Sequence, residues 1–239
     1  MENQFQRLEI QFGKEAVEKL KNSHVAVFGL GGVGSYCTEA LARSGVGELT
    51  IVDNDIFDIT NLNRQLYATH TSIGKNKCDV TEERIKDINP ECKVHSYKLF
   101  YLPETENEIS FEKIDYIADA IDTMSGKLHL IEKAKDLNIP IISSMGAGNK
   151  IDSSRIMTGD IYETSVDPLA KIMRRELRKR NIDSLKVVYS TEEPLVPQEN
   201  DIELRKGKRS TPSSNAFVPP VFGLMMANEI VLDLIGYKK

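Results

Sequence analysis

Gly29-Leu30-Gly31-Gly32-Val33-Gly34 constrains this chain more than any other segment. It follows an apolar run, Val25-Ala26-Val27-Phe28, and opens onto a helix-like stretch from Gly32 to Arg43. A second apolar run, Leu49 to Val52, then ends in Asp53, nineteen residues past Gly34. Strand, glycine turn, helix and acid-tipped strand form the βαβ unit that binds an adenosine phosphate. Glycines at 29, 31, 32 and 34 let the backbone come close to phosphate, and free N–H groups at a helix start attract anionic oxygen. Asp53 suits a ribose hydroxyl of ATP and of NAD alike, so it does not choose between them.

The alternation continues past that unit. A short amphipathic helix, Gly13–Leu20, precedes the first strand, and an irregular polar stretch runs from Asp53 to Gln65. A helix over Lys75–Ile88 is stopped by Asn89-Pro90. Strand Val94–Tyr97, strand Asp115–Asp122 with carboxylates at its tip, helix Lys127–Leu137 and strand Ile139–Ser143 follow. This rhythm predicts an α/β fold: a Rossmann-like, doubly wound, mostly parallel sheet covered on both faces.

Beyond Ser144 the rhythm changes. A strand at Arg155–Gly159, a helix from the cap Asp167-Pro168 to Arg180, a strand at Lys186–Ser190 and a final helix at about Val221–Ile235 are predicted. Residues 197–212, polar and without apolar period, read as a mobile loop. The whole is expected to be one domain over 1–239, with a nucleotide-binding core at 1–144 and a substrate- and RNA-facing elaboration at 145–239.

Charge and cysteine usage exclude several classes. A net charge of −5 gives no overall pull toward nucleic acid, so RNA contact needs a local patch. The start Met1-Glu2-Asn3-Gln4 has no signal-peptide character, and the apolar run Ala216–Ala227 reads as too short and too polar for a bilayer. A cytoplasmic protein without membrane contact is expected. Cys37, Cys78 and Cys92 form no Cys-x-x-Cys pair, so neither a disulfide scaffold nor a zinc knuckle has its spacing, and no zinc is expected. All three read as small buried hydrophobes, with Cys78 the best candidate for reactivity because Lys75 and Lys77 would lower its pKa.

The segment after Asp53 concentrates groups that a hydride-transfer site does not need. A nucleotidyl-transfer site must grip a triphosphate, neutralise the leaving pyrophosphate and place Mg²⁺. Asn61, Arg64 and Lys77 supply amide, guanidinium and ammonium donors, and Asp122 stands where open α/β sheets bind ligands. Read singly, each has a plainer account. Arg64 can equally pair with Asp58 on the surface, Lys77 can be a solvated helix residue, and Asp122 can cap the next helix.

Their order decides. Gly-Leu-Gly-Gly-Val-Gly-Ser, Ile-Val-Asp-Asn-Asp, Thr-Asn-Leu-Asn-Arg-Gln, Ile-Gly-Lys-Asn-Lys and Asp-Ala-Ile-Asp, from about Phe5 to Ser144, resemble the ubiquitin-activating-like adenylating superfamily. The resemblance implies a homodimer whose sites adenylate a carboxylate with Mg·ATP. It further implies that Gly31 and Gly34 line the phosphates, with Gly29 and Gly32 beside them. Asp53 would hold the ribose next to Asp55, while Asn61, Arg64 and Lys77 bind phosphates and Asp122 holds Mg²⁺. Arg7 would be an arginine donated across the dimer.

Departures from the superfamily pattern select a branch. The cysteine pairs of sulfur-carrier activators are missing, and no cysteine after Cys92 could serve as a ubiquitin activator's thioester nucleophile. Ser143–Asp152, Asp167-Pro168-Leu169-Ala170, Tyr189-Ser190-Thr191-Glu192 and Ser213–Pro219 instead resemble the tRNA threonylcarbamoyladenosine dehydratase branch. That resemblance implies a tRNA substrate, adenylation of its threonyl carboxylate and ring closure with loss of water, giving AMP and pyrophosphate. A sulfur-transfer protein docking nearby stays open as a further partner. Activation of a ubiquitin-like sulfur carrier and an NAD-dependent oxidoreductase are the alternatives.

The helix from Pro168 carries Lys171, Arg175 and Lys179 at i, i+4 and i+8, with Arg174 and Arg178 beside them, and the loop adds Arg205, Lys206, Lys208 and Arg209. Such a stripe is commonly a solvated face. Beside a nucleotide site on an acidic protein it is expected to track RNA phosphates.

Overall fold

The computed structural model describes residues 3–196 and 212–237. Its centre is a seven-stranded sheet built from β1 (His24–Phe28), β2 (Glu48–Val52), β3 (Lys93–Tyr97), β4 (Tyr116–Asp119), β5 (Ile141–Ser144), β6 (Ile156–Asp160) and β7 (Lys186–Ser190). The order is β3-β2-β1-β4-β5-β7-β6, parallel throughout except for β6, which runs antiparallel to β7. The expected α/β architecture is therefore observed. Every residue of β1 and β4 is buried, as strands covered on both faces must be.

Because β1 lies between β2 and β4, the chain leaves β1 in one direction for β2 and β3, then returns across it to β4. That reversal opens a crevice at the C-terminal ends of β1 and β4, where such sheets bind ligands. Helices α1 (Gln6–Phe12), α2 (Lys14–Lys21), α3 (Gly34–Arg43), α4 (Lys77–Ile88), α5 (Met124–Asp136), α6 (Pro168–Lys179) and α7 (Val218–Ile235) flank the sheet. One core cluster joins β1 and β2 to α3 and α7 through Leu41, Ile51, Phe222, Met226 and Ile230; another joins β4, β5 and β7 to α5 and α6 through Ile117, Leu130, Val187, Met173 and Leu177.

Several boundaries move for physical reasons. α4 starts at Lys77, not Lys75, because Asn76 is its N-cap and accepts from the Cys78 N–H at 2.9 Å. β4 stops at Asp119, so Asp122 lies past the strand end in the turn to α5. α5 takes in Lys127 because it begins at Met124. α7 starts at Val218, since Pro219 and Pro220 sit in its first turn, where no intrahelical N–H is required. At eighteen residues α7 is long and apolar enough to cross a membrane, contrary to the shorter run read from sequence, and half of it is buried inside the protein. α1 was not anticipated. The predicted mobile loop lies almost wholly outside the described residues, as do Arg205, Lys206, Lys208 and Arg209.

Candidate active site

The glycine turn is shaped by two close approaches. Gly29 has φ +89°, and a Cβ there would stand 2.7 Å from the Ala120 carbonyl oxygen. A Cβ on Gly34 would fall 1.7 Å from the Gly29 carbonyl oxygen, so α3 packs directly on the end of β1. Gly31 and Gly32 face the turn at 61–65: their missing Cβ atoms would be 4.0 Å from Gln65 Nε2 and 3.3 Å from Arg64 Cγ. On its other side, Gly32 meets Pro219 of α7, at 3.1 Å. The turns after β1 and β4 and the 61–65 turn thus converge.

Asp53 closes the crevice over this turn. Its carboxylate accepts from the Leu30 N–H at 2.6 Å and the Asp55 N–H at 2.8 Å. Lys77, at the first position of α4, reaches back between the acids, 2.8 Å from Asp55 Oδ2 and 3.9 Å from Asp53 Oδ2. Its side chain is only 5% exposed, which overturns the solvated reading. Asp55 is more than half exposed, so this lysine is held on one side by a carboxylate open to solvent.

Asn61 is buried, and its Oδ1 accepts from the Asp58 N–H at 3.1 Å, closing a reciprocal cap on the short turn Ile59–Asn61. Arg64 donates to the Thr60 carbonyl at 2.8 Å and to Asn63 Oδ1 at 2.9 Å, which directs the guanidinium along the turn behind Gly32. Asp122 is exposed in the turn packed against Gly29, and Thr123, not Asp122, is the N-cap of α5. A carboxylate in that position fits the way Mg²⁺ is held through one or two protein oxygens.

Arg7 is exposed on α1, whose preceding Phe5 packs against Gly45 at the opposite end of the strands, away from the crevice of its own chain, where an arginine expected to be donated across a dimer has no need to be. Burial and the Asp53 charge push the Cys78 thiol up to about 12, instead of the lysines lowering it. Its Sγ–H donates to the Asp53 carbonyl at 3.2 Å, a packing role. Cys37 is likewise pushed up to about 12 and Cys92 to about 11 by burial.

Sequence reading missed the group that supports the crevice. Asp119, fully buried at the end of β4, accepts from Lys127 Nζ at 2.7 Å, from the Ser143 hydroxyl at 2.6 Å and from the Ile121 N–H at 3.1 Å. Lys127 also donates to the Ser144 carbonyl at 3.1 Å. This network fixes the turn that carries Asp122. The available signal was a lysine eight residues past a strand-tip aspartate, among apolar helix positions.

On α6, Lys171, Arg175 and Lys179 are exposed as the spacing predicted. Arg174 instead turns inward onto the Thr164 carbonyl at 2.9 Å, and Arg178 lies 5.2 Å over the Tyr162 ring. Arg175 and Lys179 both contact Glu176, at 3.1 and 2.9 Å.

A glycine turn at the switch point, an acid at the next strand end and a buried lysine at the following helix start define a Rossmann-type nucleotide-binding protein. The ThiF family pattern matches residues 5–239, and the chain belongs to that family. It is 48% identical to the tRNA threonylcarbamoyladenosine dehydratase of Bacillus subtilis (strain 168) over 98% of this chain and 96% of that one. Crystal structures of the E. coli tRNA N6-threonylcarbamoyladenosine dehydratase are similar throughout. The AMP complex has a TM-score of 0.88 at 30% identity, covering 98% of this chain and 94% of that one. The ATP complex has a TM-score of 0.87 at 31% identity with the same coverage.

Proposed function

We propose that this protein uses ATP to dehydrate threonylcarbamoyladenosine in tRNA, closing the threonyl carboxyl onto the ureido group in a ring. The supporting observation is the buried Lys77 held between Asp53 and Asp55 beside the glycine turn. Arg64, whose Cγ lies against Gly32, adds a second cation on this side of the turn, and a pair of cations suits a triphosphate tail better than a nicotinamide. The extent of likeness to the Bacillus subtilis enzyme supports the substrate.

Asp53 binds the ribose, and Asn61, Arg64 and Lys77 bind the phosphates, within reach of the glycine turn. The threonyl carboxylate attacks the α-phosphorus, and the α–β phosphoanhydride bond breaks with pyrophosphate leaving. Lys77 and Arg64 offset the negative charge that builds on the phosphoryl oxygens. Asp122 would hold Mg²⁺, which would supply further charge neutralisation at the phosphates. A ureido nitrogen already held nearby then attacks the acyl carbon, AMP leaves, and the nitrogen gives up its proton. Holding both reactants in one molecule makes this step worth about 7–11 kcal/mol over a bimolecular reaction in good geometry. No cysteine nucleophile is needed, in keeping with three buried protonated thiols.

A homodimer brings the partner copy's Arg7 to the crevice, and the exposed Lys171, Arg175 and Lys179 track tRNA phosphates. A cytoplasmic location fits a tRNA substrate, and a sulfur-transfer protein is a further candidate partner. The test is to incubate unmodified-ring tRNA with enzyme, ATP and Mg²⁺ and weigh the nucleoside. A product lighter by one water, with AMP formed in equal amount, is expected. Unchanged nucleoside under conditions that support ATP–pyrophosphate exchange rules this substrate out. Adenylation of a small protein's C-terminal glycine would favour the sulfur-carrier alternative.

A further inference from the structure

We propose that His24, Glu48 and His95 form a site for one divalent transition-metal ion of the zinc class, at the end of the sheet remote from the glycine turn. The three residues come from adjacent strands, β1, β2 and β3, with His24 paired to Glu48 and Thr50 paired to His95. Parallel register and the two-residue side-chain period put all three on one face. One ligand atom from each lies within 4.8 Å of the other two. Glu48 Oε1 stands 2.7 Å from His95 Nε2 and 3.7 Å from His24 Nδ1. These separations bracket the roughly 3.3 Å edge of a tetrahedron with zinc–ligand bonds near 2.0 Å.

A cross-strand ion pair accounts for His95 and Glu48 but not for His24. Its side chain is buried, and Nδ1 has no hydrogen-bond partner although it points into the cluster. The other ring nitrogen, Nε2, lies 2.8 Å from the Thr50 hydroxyl. With its proton on Nε2 and donated to Thr50, the ring presents the Nδ1 lone pair to an ion, the outer-shell arrangement typical of ligating histidines. Lys93 Nζ, 3.9 Å from Glu48 Oε2, engages the far carboxylate oxygen and leaves Oε1 for the ion. His95 is close to half exposed, giving an entry path and room for a water as fourth ligand.

Two imidazoles with one carboxylate select zinc, nickel or copper over magnesium or calcium, which prefer oxygen-only sites. The expectation of no zinc rested on missing cysteine pairs and does not bear on a histidine–carboxylate site. An ion here would join three strands and take no part in the chemistry at the other end of the sheet.

Zinc titration by calorimetry, on the full-length nucleotide-free protein with excess Mg²⁺ present, tests this. One zinc per chain is expected, with affinity reduced about tenfold or more in His95→Gln. Zinc should raise Tm in the wild type and not in the variant, while ATP–pyrophosphate exchange stays unchanged. Co²⁺ gives a readout that needs no variant: weak visible bands without thiolate charge transfer are expected. Absence of saturable zinc binding, equal affinity in wild type and His95→Gln, or a thiolate–cobalt band would each overturn the site.

Discussion

Two buried lysines stand at the same edge of the sheet and differ in what surrounds them. Lys127 is enclosed: Asp119, Ser143 and the Ser144 carbonyl occupy its three donor directions, and its partner carboxylate has no exposure. Lys77 has one close contact, to an acid that is more than half exposed, and a longer one to Asp53. A fully satisfied buried ion pair holds structure in place, and removing one partner leaves an uncompensated charge. A buried cation held by a solvent-facing acid is able to exchange that acid for another anion. The lesson is that burial of a lysine says little about its role until its acceptors are counted.

Substitutions can break this contrast. The largest effect is expected at Lys127→Ala, which should cost about 3–5 kcal/mol of stability, read from denaturant unfolding. Asp119→Asn combined with Lys127→Met should recover much of that loss, because no buried charge then remains. Next, Lys77→Ala should reduce ATP–pyrophosphate exchange by about 10²–10³-fold. Its Tm should stay within about 4 °C of wild type. Normal exchange in that variant would remove Lys77 from the site, and severe unfolding would make it the twin of Lys127.

Smaller effects sharpen the picture. With all three thiols protonated and buried, native protein should resist a thiol reagent at neutral pH and react at three cysteines once denatured. Hydrogen bonds from Lys179, Arg180 and Arg175 hold the Glu176 carboxyl at about 2, below its ordinary 4.5. A depressed folded-state value means its contribution is present above about pH 4.5 and lost as pH falls toward 2. Carboxyl NMR of Glu176 should show that low midpoint. Glu176→Gln should free Arg175 and Lys179 and strengthen tRNA binding slightly, whereas reversing both charges should lower the salt slope by about 0.7 per lost single-strand phosphate contact.

Local pattern made the nucleotide edge legible. The run Val25–Phe28, the glycines and Asp53 lie within one βαβ unit, so their spacing carries the geometry directly. Motif order singled out Lys77 and Arg64 as candidates, and their positions depend on a turn with no periodic signal. Asp119–Lys127–Ser143 escaped notice because it is assembled from β4, α5 and β5, and nothing local marks Ser143 as a partner. The same holds for His24, Glu48 and His95, which meet only through strand pairing. α1 escaped for a different reason, since it is only seven residues long and none of them is fully buried. Arg174 and Arg178 were read correctly as helical but not as engaged, because Thr164 and Tyr162 reach them from outside the helix.

The close approach at Gly34 has a counterpart on the far side of α3, where a Cβ on Gly223 of α7 would lie 2.2 Å from the Val33 carbonyl oxygen. Helix α3 is therefore wedged without slack between β1 and α7. Any breathing of the glycine-turn amides must shift this helix as a rigid rod and push on α7. A bulkier side chain at position 223, some two hundred residues from the first turn in sequence, should thus loosen nucleotide grip as surely as one placed in the turn itself.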